Sequence, residues 1–187
     1  MPKIYTRTGD TGETSLFLGE RVFKSEHIFE VLGNIDELNS VLGLTYASNE
    51  SFKKINKIII SIQRELFSVG AILASTKDKG AAKEIPVYEG KVKALEEQID
   101  NIDKKLPLLK NFILPSGDTK AVYFHIARAI CRRAERSLVR EVAKNKRNEL
   151  KPIIKYMNRL SDLLFTLARY TNKLSRKKEI VWAKAAR

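Results

Sequence analysis

The sequence predicts an all-α protein: a five-helix up-and-down bundle that follows an irregular N-terminal loop segment. Apolar residues recur every three or four positions in five stretches of about 15 to 28 residues, the spacing of one buried helix face. Short polar turns join the stretches, and no run of alternating apolar and polar residues indicates a sheet. Antiparallel helices that each bury one face are typical of a bundle.

The 187 residues are expected to form a single domain, because no internal repeat or linker divides them. Residues 1–25 are rich in Gly, Thr and Ser and form the loop segment, with a short extended piece near Lys3–Tyr5. Residues 26–175 form the helical bundle. Residues 176–187 form a C-terminal tail.

The first two helices have the clearest apolar period. The first begins at about Ser25 and ends before the polar run Ser48–Ser51, and the second runs from Phe52 to about Ala74. The expected core positions of the first are Ile28, Leu32, Ile35, Leu38, Leu42 and Thr45, and those of the second are Phe52, Ile55, Ile58, Ile59, Ile62, Leu66, Val69 and Leu73.

A polar loop, Lys77–Glu84, separates these helices from the other three. Pro86 suits the first turn of the third helix, which ends before Pro107 and has Leu95 and Ile99 as core positions. After the connector Phe112–Asp118, either Ser116 or Asp118 caps the fourth helix, which runs to about Lys144. Pro152 opens the fifth helix, which runs to about Lys173.

A net charge of +13 favours anionic partners: nucleic acid, phosphate ligands or a membrane surface. No apolar window is long enough to span a bilayer, and the N-terminus has no apolar signal region. The one cysteine, Cys131, lies in a helical pattern and is expected to be a small core residue. These features together favour a cytoplasmic protein.

The fourth helix carries an arginine-rich stripe. Arg128, Arg132, Glu135 and Arg136 fall within about 100° of one another on a helical projection. The opposite face is apolar and consists of Ile126, Ala127, Ile130, Ala134 and Leu138. Guanidinium groups bind phosphate through several planar donors, so the stripe suits a polyphosphate. The alternative is a solvated face with ion pairs one turn apart.

The fifth helix repeats this division into two faces. Asn158, Asp162, Phe165 and Arg169 share one side, and apolar residues occupy the other. Two polar faces that converge would form a site. The alternative is a salt-bridge network in which Asp162 pairs with Arg159 or Arg169.

The loop segment contains two glycines three residues apart, Gly9 and Gly12, among hydroxyl side chains. Glycines allow backbone N–H groups to turn toward an anion, and Arg7, Arg21 and Lys24 add positive charge. The pattern is neither a Walker A loop nor a dinucleotide fingerprint. The alternative is a turn without chemical function. No His or Cys stands at metal-ligand spacing to either histidine, so no metal-binding side chains are expected.

Several blocks, taken in order, resemble the PduO-type ATP:cob(I)alamin adenosyltransferases. The resemblance extends from residue 3 to about residue 174, and blocks in a shared order are far more specific than any one motif. The blocks are Lys3–Gly12, Ser15–Phe17, Gly19–Val22, Asp36–Asn39, Phe112–Pro115, Cys131–Arg136 and Tyr156–Asp162.

The resemblance implies a homotrimer with active sites between subunits. Mg-ATP, and hence Mg²⁺, would bind beneath the N-terminal segment. Cob(I)alamin would attack the 5′ carbon of ATP, release triphosphate and become adenosylcobalamin. The enzyme would also bind cob(II)alamin and remove its lower axial ligand, so that a reductase partner can reduce the cobalt. An adenosylcobalamin-dependent enzyme is a further implied partner, and nucleic acid and membranes are not.

The resemblance also implies residue roles. Asp36 would pair with Arg128 across the subunit interface, and Phe112 would lie beneath the corrin; these three would bind cobalamin, and with Arg132 would be the catalytic residues. The ATP contacts would be Thr6, Arg7, Thr8, Gly9, Thr14, Ser15, Lys24, Arg132, Arg133, Ala134, Glu135, Arg136 and Asn158. The chain departs from the family pattern at Thr11, Leu18 and Ser116, and the first two affect the ATP loop.

Two other classes of protein fit the charge and the helices. One is a basic helical nucleic-acid-binding protein, whose DNA affinity would fall steeply with salt. The other is a helical assembly protein that uses its arginine face only for subunit packing.

Overall fold

The computed structural model describes residues 3–16, 21–48, 52–75 and 87–183. These residues form a two-stranded antiparallel hairpin and five long helices, in agreement with the predicted fold class. The strands are β1 (Glu13–Ser15) and β2 (Arg21–Phe23). The helices are α1 (His27–Ser48), α2 (Lys53–Ala74), α3 (Val87–Asp103), α4 (Thr119–Asn145) and α5 (Lys151–Leu174), and a 3₁₀ turn, Asn148–Leu150, precedes α5.

The helices pack in the spatial order α2, α1, α4, α5, α3. Helix α4 lies between α1 and α5 and therefore supplies the centre of the bundle. The polar edges of α4 and α5 run side by side along their shared seam. This arrangement places the arginine stripe of α4 next to the polar residues of α5.

Local signals fix the ends of α4 and α5. Asp118 caps α4 rather than Ser116: its backbone is extended, and its carboxylate accepts a hydrogen bond from the Lys120 N–H at 2.9 Å. Lys146 ends α4 in the left-handed conformation, with φ at 53°. Pro152 occupies the first turn of α5, as its ring geometry favours.

The core consists of the apolar faces that the spacing predicts. The expected positions on α1 and α2 are buried, except Leu32, Phe52 and Ile58, which are partly buried and pack against the core. Cys131 is a buried core residue, as expected, and its thiol donates to the Met157 carbonyl at 3.3 Å. Burial raises the pKa of this thiol, which keeps it protonated.

Ile126 is the error in the predicted apolar face of α4: its side chain is 44% exposed, whereas Ala127, Ile130, Ala134 and Leu138 are buried. Among the described elements, α4 packs mainly against α1 and α5. An apolar side chain on a third flank therefore stays uncovered in a single chain.

The extended part of the loop segment also lies elsewhere than expected. Residues 3–5 are not a strand; the strands are Glu13–Ser15 and Arg21–Phe23, with Thr14 opposite Val22. Several positions named in the sequence analysis lie outside the described residues: the helix start at Pro86, the loop 77–84, the break at 49–51, Leu18 and the end of the tail at 184–187. No helix in the described parts of the chain is long and apolar enough to cross a membrane.

Candidate active site

The seam between α4 and α5 contains a polar cleft of about 370 Å³. Its lining is Arg132, Glu135, Arg136, Val139, Arg140 and Asn158. Asn158 of α5 donates its amide to the Glu135 carboxylate of α4 at 3.0 Å, which fixes both side chains at the base of the cleft. Arg132 and Arg136 are exposed and have no ion-pair partner among the described residues. The cleft therefore offers guanidinium donors to an anion.

Arg133 faces away from this cleft. Its guanidinium donates to the Asn34 amide oxygen at 2.9 Å and pairs with the Glu37 carboxylate, and both partners are on α1. Ala134 is buried and packs in the core. Of the predicted ATP contacts on α4, the structure gathers Arg132, Glu135 and Arg136 with Asn158 and separates Arg133 and Ala134 from them.

Arg128 lies further along the same stripe and is held by an aromatic ring. Its guanidinium carbon is 5.8 Å from the centre of the Phe165 ring of α5, the geometry of a cation–π contact. Its Nε is buried and has no hydrogen-bond partner in the described chain. Burial, and then the positive charge of Arg132, lower the pKa of Arg128 below its ordinary value.

His125 lies beside Arg128 and is 4% exposed. Its ring centre is 5.9 Å from that of Phe165, and neither ring nitrogen has a hydrogen-bond partner among the described residues. Burial, and then the charge of Arg128, lower the pKa of His125 to about 4. His125 is therefore neutral near pH 7 and adds no positive charge beside Arg128. Sequence reasoning missed it, because a single histidine without a ligand pattern carries no signal.

Asp36 projects from α1 and is exposed. It borders an apolar groove of about 350 Å³ between α1 and α2, lined also by Leu32, Ile35 and Phe67. Asp36 and Arg128 form no ion pair within the described chain. The structure thus leaves a carboxylate on one face and an incompletely paired guanidinium on another.

Two glycines, Gly9 and Gly12, lie in the turns that precede strand β1. Gly12 has φ at +85°, and its carbonyl accepts the Lys24 N–H at 2.9 Å. The Lys24 ammonium donates to the Gly9 carbonyl at 2.8 Å, and Arg21 donates to the Thr8 carbonyl at 2.6 Å. The segment is therefore built around basic side chains.

Hydroxyl groups of the hairpin segment are directed to one another and to solvent. Thr6 and Thr8 share a hydroxyl hydrogen bond of 2.9 Å, and Ser15 is exposed. Within the described residues, no hydrogen bond or ion pair joins this segment to the Arg132 cleft. The described residues of one chain thus show the predicted ATP contacts of this segment and those of the cleft as two separate groups.

Phe112 lies on the connector between α3 and α4, with 81% of its surface exposed. The C-terminal tail runs beside it: Ile113 pairs with Val181 in an antiparallel bridge. The Trp182 ring meets the Phe112 ring edge-on, with the ring centres 6.5 Å apart. Leu109, Lys110 and Asn111 complete the lining of the adjacent cavity.

The fifth helix resolves the alternative that the sequence left open. Asp162 pairs with Arg159 at 3.4 Å, so one predicted salt bridge is present. Arg169 is 4% exposed and pairs instead with Glu179 at 2.9 Å, near the connector. Asn158 alone of the four polar-face residues lines the Arg132 cleft.

Several known proteins are similar to this chain over most of its length. A family model described as cobalamin adenosyltransferase matches residues 4–171. The corrinoid adenosyltransferase of Bacillus subtilis is 42% identical over 174 residues, which are 91% of this chain and 86% of that protein. The corrinoid adenosyltransferase of Bos taurus is 40% identical over 179 residues, which are 91% of this chain and 72% of that protein.

A solved structure shares the fold as well as the sequence. A variant PduO-type ATP:corrinoid adenosyltransferase from Lactobacillus reuteri, complexed with cobalamin and ATP, superposes with a TM-score of 0.83 at 32% identity. The match covers 97% of this chain and all of that one. The family model and the relatives each span most of the sequence, so this chain belongs to the cobalamin adenosyltransferase family.

Proposed function

We propose that this protein is a corrinoid adenosyltransferase, which transfers the 5′-deoxyadenosyl group of ATP to the cobalt of cob(I)alamin and releases inorganic triphosphate. The observation that carries the proposal is the α4–α5 cleft, in which Arg132 and Arg136 have no ion-pair partner among the described residues and Asn158 fixes Glu135. Family membership supplies the substrates, because the solved relative holds both cobalamin and ATP.

The cleft suits the departure of a polyanion. Attack of cobalt on the 5′ carbon breaks the bond from that carbon to the triphosphate oxygen, and negative charge grows on the leaving group. Guanidinium donors placed where that charge develops stabilise the transition state. The cobalt is the nucleophile, so the protein needs no nucleophile or general base of its own.

Magnesium would enter with ATP. Among the described residues there is no group of three or more His, Cys, Asp or Glu side chains that could hold a metal ion. Mg²⁺ prefers oxygen ligands and commonly binds through substrate phosphates, so the triphosphate itself would supply most of the ligands. The N-terminal segment would contribute Thr6, Arg7, Thr8, Gly9, Thr14, Ser15 and Lys24 to the nucleotide.

The site is proposed to be completed between subunits of a homotrimer. Two observations support this: among the described residues, no hydrogen bond or ion pair joins the N-terminal segment to the Arg132 cleft, and the buried Nε of Arg128 has no hydrogen-bond partner. The exposed Asp36 of a second subunit would pair with Arg128. Arg128 packs against the Phe165 ring, and a carboxylate pairs with the edge of a guanidinium, so the two contacts are compatible.

The Asp36→Asn variant tests this interface. Removing one charge of a buried ion pair leaves the other charge buried and unpaired. The expected loss is about 3–5 kcal/mol in the free energy of the assembled state. Sedimentation should show weaker assembly, or titration should show poorer cobalamin binding. Glu37→Gln, which removes the neighbouring carboxylate that pairs with Arg133 inside the chain, is the control. Unchanged assembly and cobalamin binding in Asp36→Asn would contradict the pairing.

Phe112 is proposed to displace the lower axial ligand of cob(II)alamin. A large apolar ring in the ligand's place fills the volume, excludes water and offers no lone pair to cobalt. The exposed position of Phe112 on the connector fits a ring that meets a ligand rather than the core. The four-coordinate cobalt would then accept an electron from a separate reductase.

The domain organisation, the cellular location and the use of the product are also part of the proposal. The whole chain acts as one domain, with 1–25 as the nucleotide segment, 26–175 as the bundle and 176–187 as the tail. The reduced, buried Cys131 fits a cytoplasmic location. An adenosylcobalamin-dependent enzyme would receive the product.

Spectrophotometry tests the proposed reaction, since reduced cobalamin and adenosylcobalamin absorb differently. We expect conversion to depend on ATP and to release one triphosphate for each adenosylcobalamin formed. The alternative, a basic nucleic-acid-binding protein, has no support from the comparisons. It would instead show DNA affinity that falls steeply with salt and no cobalamin conversion.

A further inference from the structure

The connector that carries Phe112 is joined to the C-terminal tail by backbone hydrogen bonds. The Leu114 N–H donates to the Ile180 carbonyl at 2.8 Å, and the Trp182 N–H donates to the Phe112 carbonyl at 2.8 Å. Phe112 and Trp182 therefore face each other across a short antiparallel ladder. Their rings meet edge-on with an interplanar angle of 77°. This geometry is one of the two that aromatic pairs prefer.

A buried arginine anchors the tail and the connector to α5. Arg169 donates from Nε to the Glu179 carboxylate at 2.9 Å and from Nη2 to the Pro107 carbonyl at 2.8 Å. A third contact, 3.6 Å, reaches Asp103 at the end of α3. One guanidinium thus holds the start of the connector and the tail in fixed relation. Arginine suits this role because its five donors have a fixed planar geometry.

The far end of the connector is clamped by Asn172, one helical turn after Arg169. Its amide donates to the Ser116 carbonyl at 3.0 Å and accepts from the Asp118 N–H at 2.8 Å. Asn172 is 1% exposed, so both bonds are shielded from water. The connector is therefore fixed at both ends, whereas the Phe112 side chain at its middle is 81% exposed.

We propose that Trp182 is a positioning residue for Phe112, and that the Arg169–Glu179 pair holds Trp182 in place. This inference rests on the proposed role of Phe112 beneath the corrin. An exposed phenylalanine without neighbours moves among its staggered rotamers. The Trp182 ring is the one aromatic contact of Phe112 among the described residues, and it favours one rotamer. Trp182 thereby determines how often the Phe112 ring occupies the place of the axial ligand.

The expected effect of losing this contact is moderate and selective. An edge-to-face contact raises the population of the rotamer that makes it by about three- to tenfold. Trp182→Ala should therefore reduce the four-coordinate fraction of bound cob(II)alamin by about the same factor. Activity that starts from cob(II)alamin should fall in proportion. Activity from pre-reduced cob(I)alamin should change less than twofold, because that state holds no lower ligand. Trp182→Phe should restore most of the four-coordinate fraction.

Val181→Ala is the matched control. Val181 and Trp182 are adjacent and equally exposed, at 50% and 51%, but Val181 pairs with Ile113 rather than Phe112. We expect Val181→Ala to behave as the unmodified protein in both assays. Glu179→Gln removes the carboxylate charge that pairs with Arg169 but leaves both aromatic rings in the chain. It should therefore lower the four-coordinate fraction, although neither ring has been substituted.

Trp182 is the single tryptophan of the chain, so its fluorescence reports on the tail directly. In Glu179→Gln, we expect the emission to be less polarised than in the unmodified protein, because the ring moves more. In Phe112→Ala, the emission should also lose polarisation. This readout needs no cobalamin and therefore stands apart from the activity measurements.

Electron paramagnetic resonance of cob(II)alamin bound with ATP decides the question. A reduced four-coordinate signal in Trp182→Ala and Glu179→Gln, with Val181→Ala normal, supports the proposal. A normal signal in Trp182→Ala overturns it, provided that Phe112→Ala abolishes the signal. If Phe112→Ala also leaves the signal intact, the proposed role of Phe112 itself is wrong and the inference falls with it.

Discussion

Gly117 is the residue at which an added methyl group should do the most damage to the Phe112 connector. Its φ is +109°, a conformation that residues with a side chain rarely adopt. A Cβ at this position would overlap the Asn172 Oδ1 and lie 2.7 Å from the Asn172 Cγ. Asn172 is 1% exposed, so its amide has little space to move. Gly117→Ala should therefore disrupt the hydrogen bonds of Asn172.

The cost can be worked from these contacts. Unfavourable backbone conformation contributes on the order of 1–3 kcal/mol. A buried polar group that loses its partner costs about 1–3 kcal/mol, and the clash affects the Asp118 N–H and the Ser116 carbonyl. The backbone strain and one unpartnered buried group together are expected to cost about 2–6 kcal/mol, or roughly 4–24 °C in Tm for a chain of this length.

Thermal unfolding followed by circular dichroism, at one fixed protein concentration, measures this loss. Gly90→Ala is the control, because Gly90 lies in α3 and an added Cβ would meet no atom within 4 Å. It should be neutral or stabilise the protein by up to about 1 kcal/mol, as alanine favours the helix. If Gly117→Ala melts within about 2 °C of the unmodified protein, the Asn172 clamp does not constrain the connector.

Three further predictions follow from the site. Arg132→Lys keeps the charge but loses the planar donors, so turnover should fall on the order of 100-fold with an unchanged Tm. The control, Arg64→Lys on α2, should leave turnover normal. Near-normal turnover in Arg132→Lys would contradict the proposed contact of Arg132 with the triphosphate. Hydrogen exchange of residues 6–15 should slow when Mg-ATP binds, as the phosphates recruit backbone donors, and equal protection with and without nucleotide would contradict this. The pKa of His125 is about 4 in the folded protein and 6.5 in the unfolded chain, so as the pH falls below 6.5 the unfolded state binds a proton before the folded state does. The free energy of unfolding should therefore fall by about 2 kcal/mol between pH 7 and pH 5. His125→Leu should lose that part of the pH dependence.

The helices could be predicted from the sequence because their apolar period reports which side of each helix is buried. Leu38 and Leu42 on α1, and Leu66 on α2, are buried at the positions that the spacing indicates. Ile126 shows the limit of this reasoning. Periodicity identifies an apolar flank, but it does not say whether a neighbouring helix covers that flank.

The apolar period of a helix does not reveal contacts between residues that are far apart in the sequence. Arg169 belongs to the polar face of its helix by spacing, yet its main partner, Glu179, comes from the tail, which has no pattern of its own. The hairpin was missed for a related reason. Its strands are three residues each, too short for an alternation to register, and a glycine-containing turn precedes them, so the whole segment has the sequence of an irregular loop.

The candidate site was predicted in part from the residues and in part from the resemblance. Three residues of the α4 stripe, Arg132, Glu135 and Arg136, meet Asn158 of α5 in one cleft, as their helical spacing indicates, whereas Arg128 lies outside its lining. Helical spacing leaves Arg133 outside the stripe, and only the resemblance adds it to the ATP contacts; in the structure it turns to Asn34 and Glu37 of α1. The roles of Phe112 and Asp36 came from the resemblance only.

The most direct test of the account is a stoichiometric assay with cob(I)alamin and ATP. We expect adenosylcobalamin to accumulate at the same rate as inorganic triphosphate, with no separate release of phosphate or pyrophosphate as the first product. Arg132→Lys should slow both together. Release of phosphate without alkylation of cobalt, or no reaction of pre-reduced cobalamin, would contradict the assignment of this chain as an adenosyltransferase.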